Sequence, residues 1–293
     1  MDNTKELNHI SLCTGYGGID LGLSRAIKDV RTVCYVEIEA YNIQNLVTKI
    51  EAGLLDAAPI FTDLKQFPWH LFSGKVDILS GGFPCQPFSS AGARKADSDP
   101  RHLWPYIKQG IIEMGKPTFI FLENVEGIIT AKLKGNKWAD SAGISVLLHV
   151  LRELERLGYK AEAGLFSASE AGSPQERKRV FILAVRNDIS KSGYEFIKKK
   201  IKKDNDKTAW PAFRGQKQHR YEPARLTANT ESNKIESQMG RDANGITSRL
   251  DYVSLQNSYT DREAELRILG NGVVPQTARK AFTVLFEKLA NTY

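Results

Sequence analysis

Short apolar runs alternate with amphipathic stretches through the first 187 residues, and then the pattern fades. Residues 9–13 (HISLC) read as a buried strand that enters TGYGG at 14–18, followed by a helix over about 19–27. Residues 32–36 (TVCYV) predict a second strand and 40–51 a second helix. A short third strand at 60–62 ends at Asp63, and a fourth at 76–79 is stopped by Gly81 and Gly82. A fifth, at 118–122, is entered through Pro117. Leu147, Val150, Leu151, Leu154 and Leu157 recur at helical spacing over 146–157, and RVFILAV at 179–185 is one more apolar strand. Short apolar runs alternating with helices indicate a parallel sheet covered on both faces. The expected fold is therefore α/β, a doubly wound, mostly parallel sheet.

Residues 188–265 are polar and rich in Lys, Asn, Ser, Thr and Arg, and no helix is expected there. This stretch reads as a small irregular domain or a set of long loops. Order returns at Leu266, and 276–290 predicts an amphipathic helix with Ala278, Phe282, Leu285 and Leu289 on one side. The expected organisation is a main domain over 1–187, a second region over 188–265, and a return segment over 266–293 that packs back on the first.

The 293 residues carry a formal net charge of +7, which favours polyanionic partners only weakly. The charge is concentrated in KKKIKK at 198–203, a run that suits phosphate contacts or a solvated linker equally. Cys13, Cys34 and Cys85 form no disulfide or metal-ligand pattern. The opening residues lack the apolar run of a secretory signal, and no stretch approaches the length of a membrane span. The expectation is a cytoplasmic protein that needs no membrane and no metal.

Candidate chemistry gathers where strands end. Gly15, Gly17 and Gly18 permit a tight turn and close approach of a ligand, but GxGG is not the GxGxxG of dinucleotide sites, so a nicotinamide-linked oxidoreductase is disfavoured. Glu37 or Glu39 is placed to accept hydrogen bonds from a ribose, and Asp63 from an adenine amino group; capping and solvated charge are the competing readings. In GGFPCQPFS at 81–89, Cys85 sits in a loop of glycines and prolines that makes a poor core segment, whereas Cys13 and Cys34 lie in apolar strands. Glu123 leaves an apolar strand and needs a partner or the start of a turn to cap. Arg177 and Arg179 share a face of an extended segment, suited to a phosphate or a base carbonyl, or to a solvated edge.

Together these segments resemble the motif series of the bacterial and phage DNA (cytosine-5) methyltransferases. CTGYGGIDLGL at 13–23 resembles the cofactor loop, GGFPCQPFSSAG at 81–92 the catalytic loop, ENV at 123–125 and QERKRVF at 175–181 the base-binding motifs, and GNGVVPQ at 270–276 the last motif. The resemblance implies a Rossmann-like fold dependent on S-adenosylmethionine, with a target-recognition domain at 188–265. It implies Cys85 as nucleophile toward C6 of a flipped-out cytosine, with Gln86 its loop neighbour. Glu123 would face N3 and the amino group, Arg179 would contact O2, and Arg177 would support the catalytic loop. Thr14, Tyr16, Gly17 and Gly18 would embrace the methionine part of the cofactor, Glu37 its ribose, Ile38 its adenine face and Asp63 its amino group. Pro84, Leu103 and Asn271 would complete that pocket.

Tyr16 departs from the small or aliphatic residue usual in the family, and Ile38 from the frequent aromatic. The arginine-rich segment before the last motif is reduced to TDREAE at 260–265. The implied partner is double-stranded DNA, read by a monomer in a bacterial nucleoid or a phage-infected cell, with room for a paired restriction endonuclease. The alternatives within the same superfamily are methylation of cytosine in tRNA or other RNA, and an inactive nucleic-acid-binding relative. The Cys-Phe-Thr segment of the RNA subgroup is absent, and intact Cys85, Glu123 and Arg179 weigh against an inactive relative.

Overall fold

The computed structural model describes residues 5–84, 103–133, 143–173, 175–202, 270 and 272–291. In chain order the elements are β1 (Leu7–Leu12), α1 (Gly18–Ala26), β2 (Val30–Val36), α2 (Ala40–Glu51), β3 (Ile60–Phe61), β4 (Ile78–Gly82) and α3 (Trp104–Glu113). They continue with β5 (Phe119–Val125), α4 (Val146–Arg156), β6 (Tyr159–Ser167), β7 (Lys178–Arg186), α5 (Lys191–Lys200) and α6 (Pro275–Ala290). The strands form one seven-stranded sheet in the order β3-β2-β1-β4-β5-β7-β6. β1 to β5 pair in parallel, and β7 runs antiparallel to both of its neighbours. The doubly wound, mostly parallel sheet is as expected.

Alternation along the central strands sends side chains into two cores. Ile120 and Leu122 of β5, with Ile182 and Ala184 of β7, face a core shared with α3 and α4, which contribute Ile107, Ile111, Val150 and Leu154. Phe119, Phe121, Phe181 and Leu183 face the other way, onto Leu23 of α1, Tyr194 and Ile197 of α5, and Phe282 and Phe286 of α6. Both faces of β5 and β7 are therefore buried, which is why their sequences are almost continuously apolar. The return helix α6 does close onto this second face, beside α1.

Three elements were not anticipated. β6 forms the sheet's edge, with residues 160–164 only half buried and Leu165 exposed, so the strand carries Lys160 and Glu162 and lacks an apolar run. α3 begins after Leu103 with Pro105 in its first turn. α5 corrects the expectation of no helix within 188–265. Ser190 caps it by accepting from Gly193 N, and Tyr194 and Ile197 bury one stripe against the sheet. Its last turn is tied to the α1–β2 turn: Lys28 N donates to Lys200 O (2.9 Å), Lys202 N to Ala26 O (2.8 Å), and the buried Lys200 ammonium pairs with Asp29 (2.7 Å). The packed body thus continues to residue 202.

Candidate active site

The carboxyl ends of the parallel strands converge on one rim. β1 delivers the loop from Cys13 to Gly17, β2 delivers Glu37, β3 leads to Asp63, β4 to Phe83 and Pro84, and β5 carries Glu123 and Asn124. Because β7 is antiparallel, its beginning rather than its end reaches this rim: Arg179 pairs with Val125, and Phe181 with Glu123.

On one side of the rim the chemistry is carried by buried charge. Glu123 is 6% exposed, and its Oε1 lies 2.9 Å from Arg179 Nε. Burial raises its pKa from the ordinary 4.5 to about 7, against the opposing pull of Arg179 and Arg177. Gly82, paired with Glu123 across the sheet, makes room for this carboxylate: a Cβ there would stand 2.8 Å from Glu123 Oε2. Asn124, also buried, points its amide nitrogen at Phe83 O (2.9 Å), while its Oδ1 accepts from Val125 N (2.9 Å). The chain two residues before Cys85 is thereby held to the strand that carries Glu123. Sequence reasoning assigned Asn124 no role; its place in ENV was the available signal.

Arg177 Nη2 donates to the carbonyls of Gly270 (2.8 Å) and Gly272, and Arg179 Nη2 reaches Gly270 O at 3.4 Å. Arg177 therefore grips the return segment; its expected support of the catalytic loop falls on residues outside those described. Outside the Glu123–Arg179 pair lies a shallow open depression lined by Val125, Glu126, Gly127 and the segment from Glu176 to Arg179.

On the other side of the rim the backbone does most of the work. Gly15 and Gly17 take φ of +58° and +83°, where a side chain would be strained. Thr14 N and Oγ1 tie the loop to Val36 O and Ser11 O, both at 3.1 Å. Glu37, 5% exposed, accepts from Gly15 N (2.7 Å) with one oxygen and from Glu39 N (2.8 Å) with the other. Ile38 next to it is 71% exposed. Asp63 accepts from Lys65 N (2.9 Å) and Gln66 Nε2 (3.0 Å), so it caps a short turn, and each of its oxygens retains a lone pair. Pro84 is half-buried beyond β4, and Leu103 packs on the α3 side of the core.

This arrangement fits an adenosyl cofactor. The uncovered aliphatic side chain of Ile38 follows the strand-end carboxylate Glu37, and among the described residues nothing lies within 4 Å of the place a Gly15 Cβ would take. Gly18 is different. A Cβ there would meet Val273 O at 2.0 Å, so its lack of a side chain serves the approach of the return segment.

Cys85 and Asn271 lie outside the described residues. The other two thiols are poor nucleophiles. Burial, aided for Cys13 by Glu37, pushes both Cys13 and Cys34 up to about 12. Beneath the glycine loop a buried polar network joins β1, β2, β4 and α1. His9 bonds Thr32 (2.9 Å) and Ser80 (2.7 Å), and Ser11 donates to Asp20 (2.9 Å). Burial holds the His9 imidazole down to about 3, and so uncharged, and raises Asp20 to about 6.

A seven-stranded sheet in this order, with β7 alone reversed and a glycine loop after β1, defines the fold of the S-adenosylmethionine-dependent methyltransferases. Within that class, the model of the C-5 cytosine-specific DNA methylases matches residues 7–271, and the chain belongs to that family. It is 34% identical over 178 residues to the type II methyltransferase M.NlaX of Neisseria lactamica, covering 61% of this chain and 52% of that protein. It is 32% identical over 197 residues to M.PspPI of Psychrobacter sp., covering 67% of this chain and 44% of the relative. The chain thus spans about half the length of these relatives. Among solved structures, the Dnmt2 methyltransferase of S. pombe superposes with a TM-score of 0.62 at 17% identity, over 97% of this chain and 99% of that one. The methyltransferase EhMeth of Entamoeba histolytica does so with 0.60 at 14%, over the same shares. At these identities the structural likeness is one of fold.

Proposed function

We propose that this chain methylates carbon 5 of cytosine in double-stranded DNA at a specific sequence, with Cys85 as the nucleophile. The observation that carries the reading is the buried Glu123 carboxyl. It has a pKa near neutrality, lies against Arg179, and sits on the strand whose Asn124 holds the approach to Cys85. Two further points support it: family membership, and the inert state of the other two cysteines.

Cytosine C5 is a weak nucleophile until a group adds at C6. The Cys85 sulfur forms a bond to C6, and Glu123 holds a proton at N3 as charge develops there. Arg179 faces O2 and also steadies the Glu123 carboxylate. S-adenosylmethionine, held by Thr14, Tyr16, Gly17, Glu37, Ile38 and Asp63, supplies an electrophilic methyl group when bound. After transfer the C5 proton is lost to a base, for which bound water suffices, and the C6–sulfur bond breaks to restore the ring and the thiolate. The target base leaves the duplex to reach this rim, at a cost of a few kcal/mol that pocket contacts offset. Residues 203–265 are assigned to reading the DNA sequence, and the body from β1 to α5 with α6 to the chemistry.

The test is incubation of the chain with labelled S-adenosylmethionine and unmethylated mixed-sequence DNA, followed by base-resolution mapping. 5-Methylcytosine confined to one sequence is expected, and Cys85→Ser should abolish it. Label appearing in RNA and not in DNA, or turnover by Cys85→Ser, would reject the reading.

A further inference from the structure

One short stretch of the return segment is held from both halves of the site. From the base side, Arg177 takes the carbonyls of Gly270 and Gly272, with Arg179 reaching Gly270 as well. From the cofactor side, the Tyr16 hydroxyl donates to Val273 O, and Gly18 leaves that carbonyl its space. Tyr16 is 2% exposed, and it is anchored from below. The fully buried Lys49 of α2 donates to Tyr16 O (2.7 Å), and its ammonium lies 4.8 Å from the ring centre. The nearby charges that act on the Tyr16 hydroxyl include Arg177, Glu123 and Arg179, which are the base-side groups. A hydroxyl reaching across to a carbonyl 257 residues away is beyond the small or aliphatic side chain usual at this loop position.

We propose that Tyr16 is a positioning residue that fastens the cofactor loop to Val273 and, through the nearby carbonyls of Gly270 and Gly272, to Arg177 and Arg179. Cofactor binding and target-base binding are then coupled through one hydroxyl. The inference rests on the methyltransferase reading above and assigns the Tyr16 side chain a task within it. The segment cannot shift to suit one site without moving a carbonyl that the other site holds, and such coupling is reciprocal between the two ligands.

The test uses the full chain and S-adenosylhomocysteine as the probe. Tyr16→Phe removes one oxygen and keeps the ring; Tyr16→Leu, which puts an aliphatic side chain there, is the second variant. Well below the melting temperature, calorimetry should show affinity for S-adenosylhomocysteine weakened by roughly five- to tenfold, as expected for a buried hydrogen bond lost from a preorganised site. KM for DNA should rise alongside, although Tyr16 touches no DNA in this scheme. In a double-mutant cycle with Arg177→Lys, the effects on cofactor affinity should be non-additive, because both side chains hold one segment. A merely structural role would lower the melting temperature and leave these constants alone. Cofactor affinity within twofold of the parent for either variant, or additive effects in the cycle, would overturn the coupling while leaving the methyltransferase reading intact. Failure of the parent chain to bind S-adenosylhomocysteine would overturn both.

Discussion

Glu37 and Glu123 are both buried glutamates at the ends of parallel strands, and the fold puts them to different uses. Glu37 receives two backbone N–H groups, from Gly15 and Glu39, and so shapes the loop in front of it. Glu123 receives a guanidinium and, among the described residues, no backbone donor; burial outweighs the charge beside it and leaves its proton exchangeable near neutrality. Backbone donors give Glu37 the task of shaping its loop, whereas burial turns Glu123 into an acid–base group despite the guanidinium beside it. The cofactor side of the rim is accordingly built from backbone, and the base side from titratable side chains.

The strongest way to break that contrast is Glu123→Gln. It should lower kcat by about 10²- to 10⁴-fold, the usual worth of a positioned acid, while S-adenosylhomocysteine binding measured by calorimetry stays close to the parent's. Its pH dependence follows from the raised pKa. The protonated form is the one that serves N3, so the parent's kcat should fall as pH rises through about 7. The same shift makes the folded protein hold a proton that the unfolded chain releases above 4.5. Glu123's contribution to stability is therefore complete below 4.5 and is lost as pH rises through about 7. Urea midpoints across that window should show a downward component in the parent that is missing in Glu123→Gln.

Glu37→Gln should do the reverse. Loss of a charged acceptor weakens S-adenosylhomocysteine affinity by roughly tenfold, with kcat at saturating cofactor near the parent's. A large fall in kcat with unchanged affinity would erase the distinction between the two carboxylates.

Gly22→Ala probes the frame behind both sites. Its Cβ would stand 2.6 Å from the Ala278 Cβ and 2.8 Å from Pro275 O, where α1 meets α6. Such overpacking costs about 1–3 kcal/mol, readable as a shift in the urea midpoint.

The smallest effect is expected from Lys198→Ala with Lys199→Ala. The end of α5 is fastened to the α1–β2 turn, at the edge where the parallel strands begin. β1 has six residues, which places that edge about 20 Å from the rim. DNA affinity should change by less than about twofold, because each true phosphate contact contributes about 0.9 to the slope of log affinity against log salt. A slope reduced by nearly two would show that the duplex reaches this edge after all.

The central strands were legible because burial on both faces leaves a nearly unbroken apolar run, as in FIFL at 119–122 and VFILAV at 180–185. The cofactor loop was legible from its glycines and from the strand ending before them. β6 was not, because an edge strand has only a partial apolar side to display. α5 escaped for another reason. Tyr194, Ile197 and Ile201 have helical spacing, but they lie among lysines, one of which, Lys200, is itself buried against Asp29. A lysine run looks solvated until the fold supplies a carboxylate for one member of it.

Local order alone determined the succession of strands and helices, the turns that require glycine, and the positions of Glu123 and Arg179 near the ends of their strands. Those depend on periodicity and backbone conformation, which neighbouring residues control. Only tertiary structure decided what each side chain meets. Gly18 reads as one more loop glycine, and the fold adds that Val273 O stands where its Cβ would be; Tyr16 reads as a departure from pattern until its hydroxyl reaches the same carbonyl. Arg177 reads as one of two basic residues on an extended segment until its Nη2 is found on the carbonyls of Gly270 and Gly272. In each case the partner comes from the far end of the chain, brought there because α6 buries Phe282 and Phe286 against the sheet. Hydrophobic burial of that helix has no direction of its own, and it is what places three backbone carbonyls where the site's side chains can bond them.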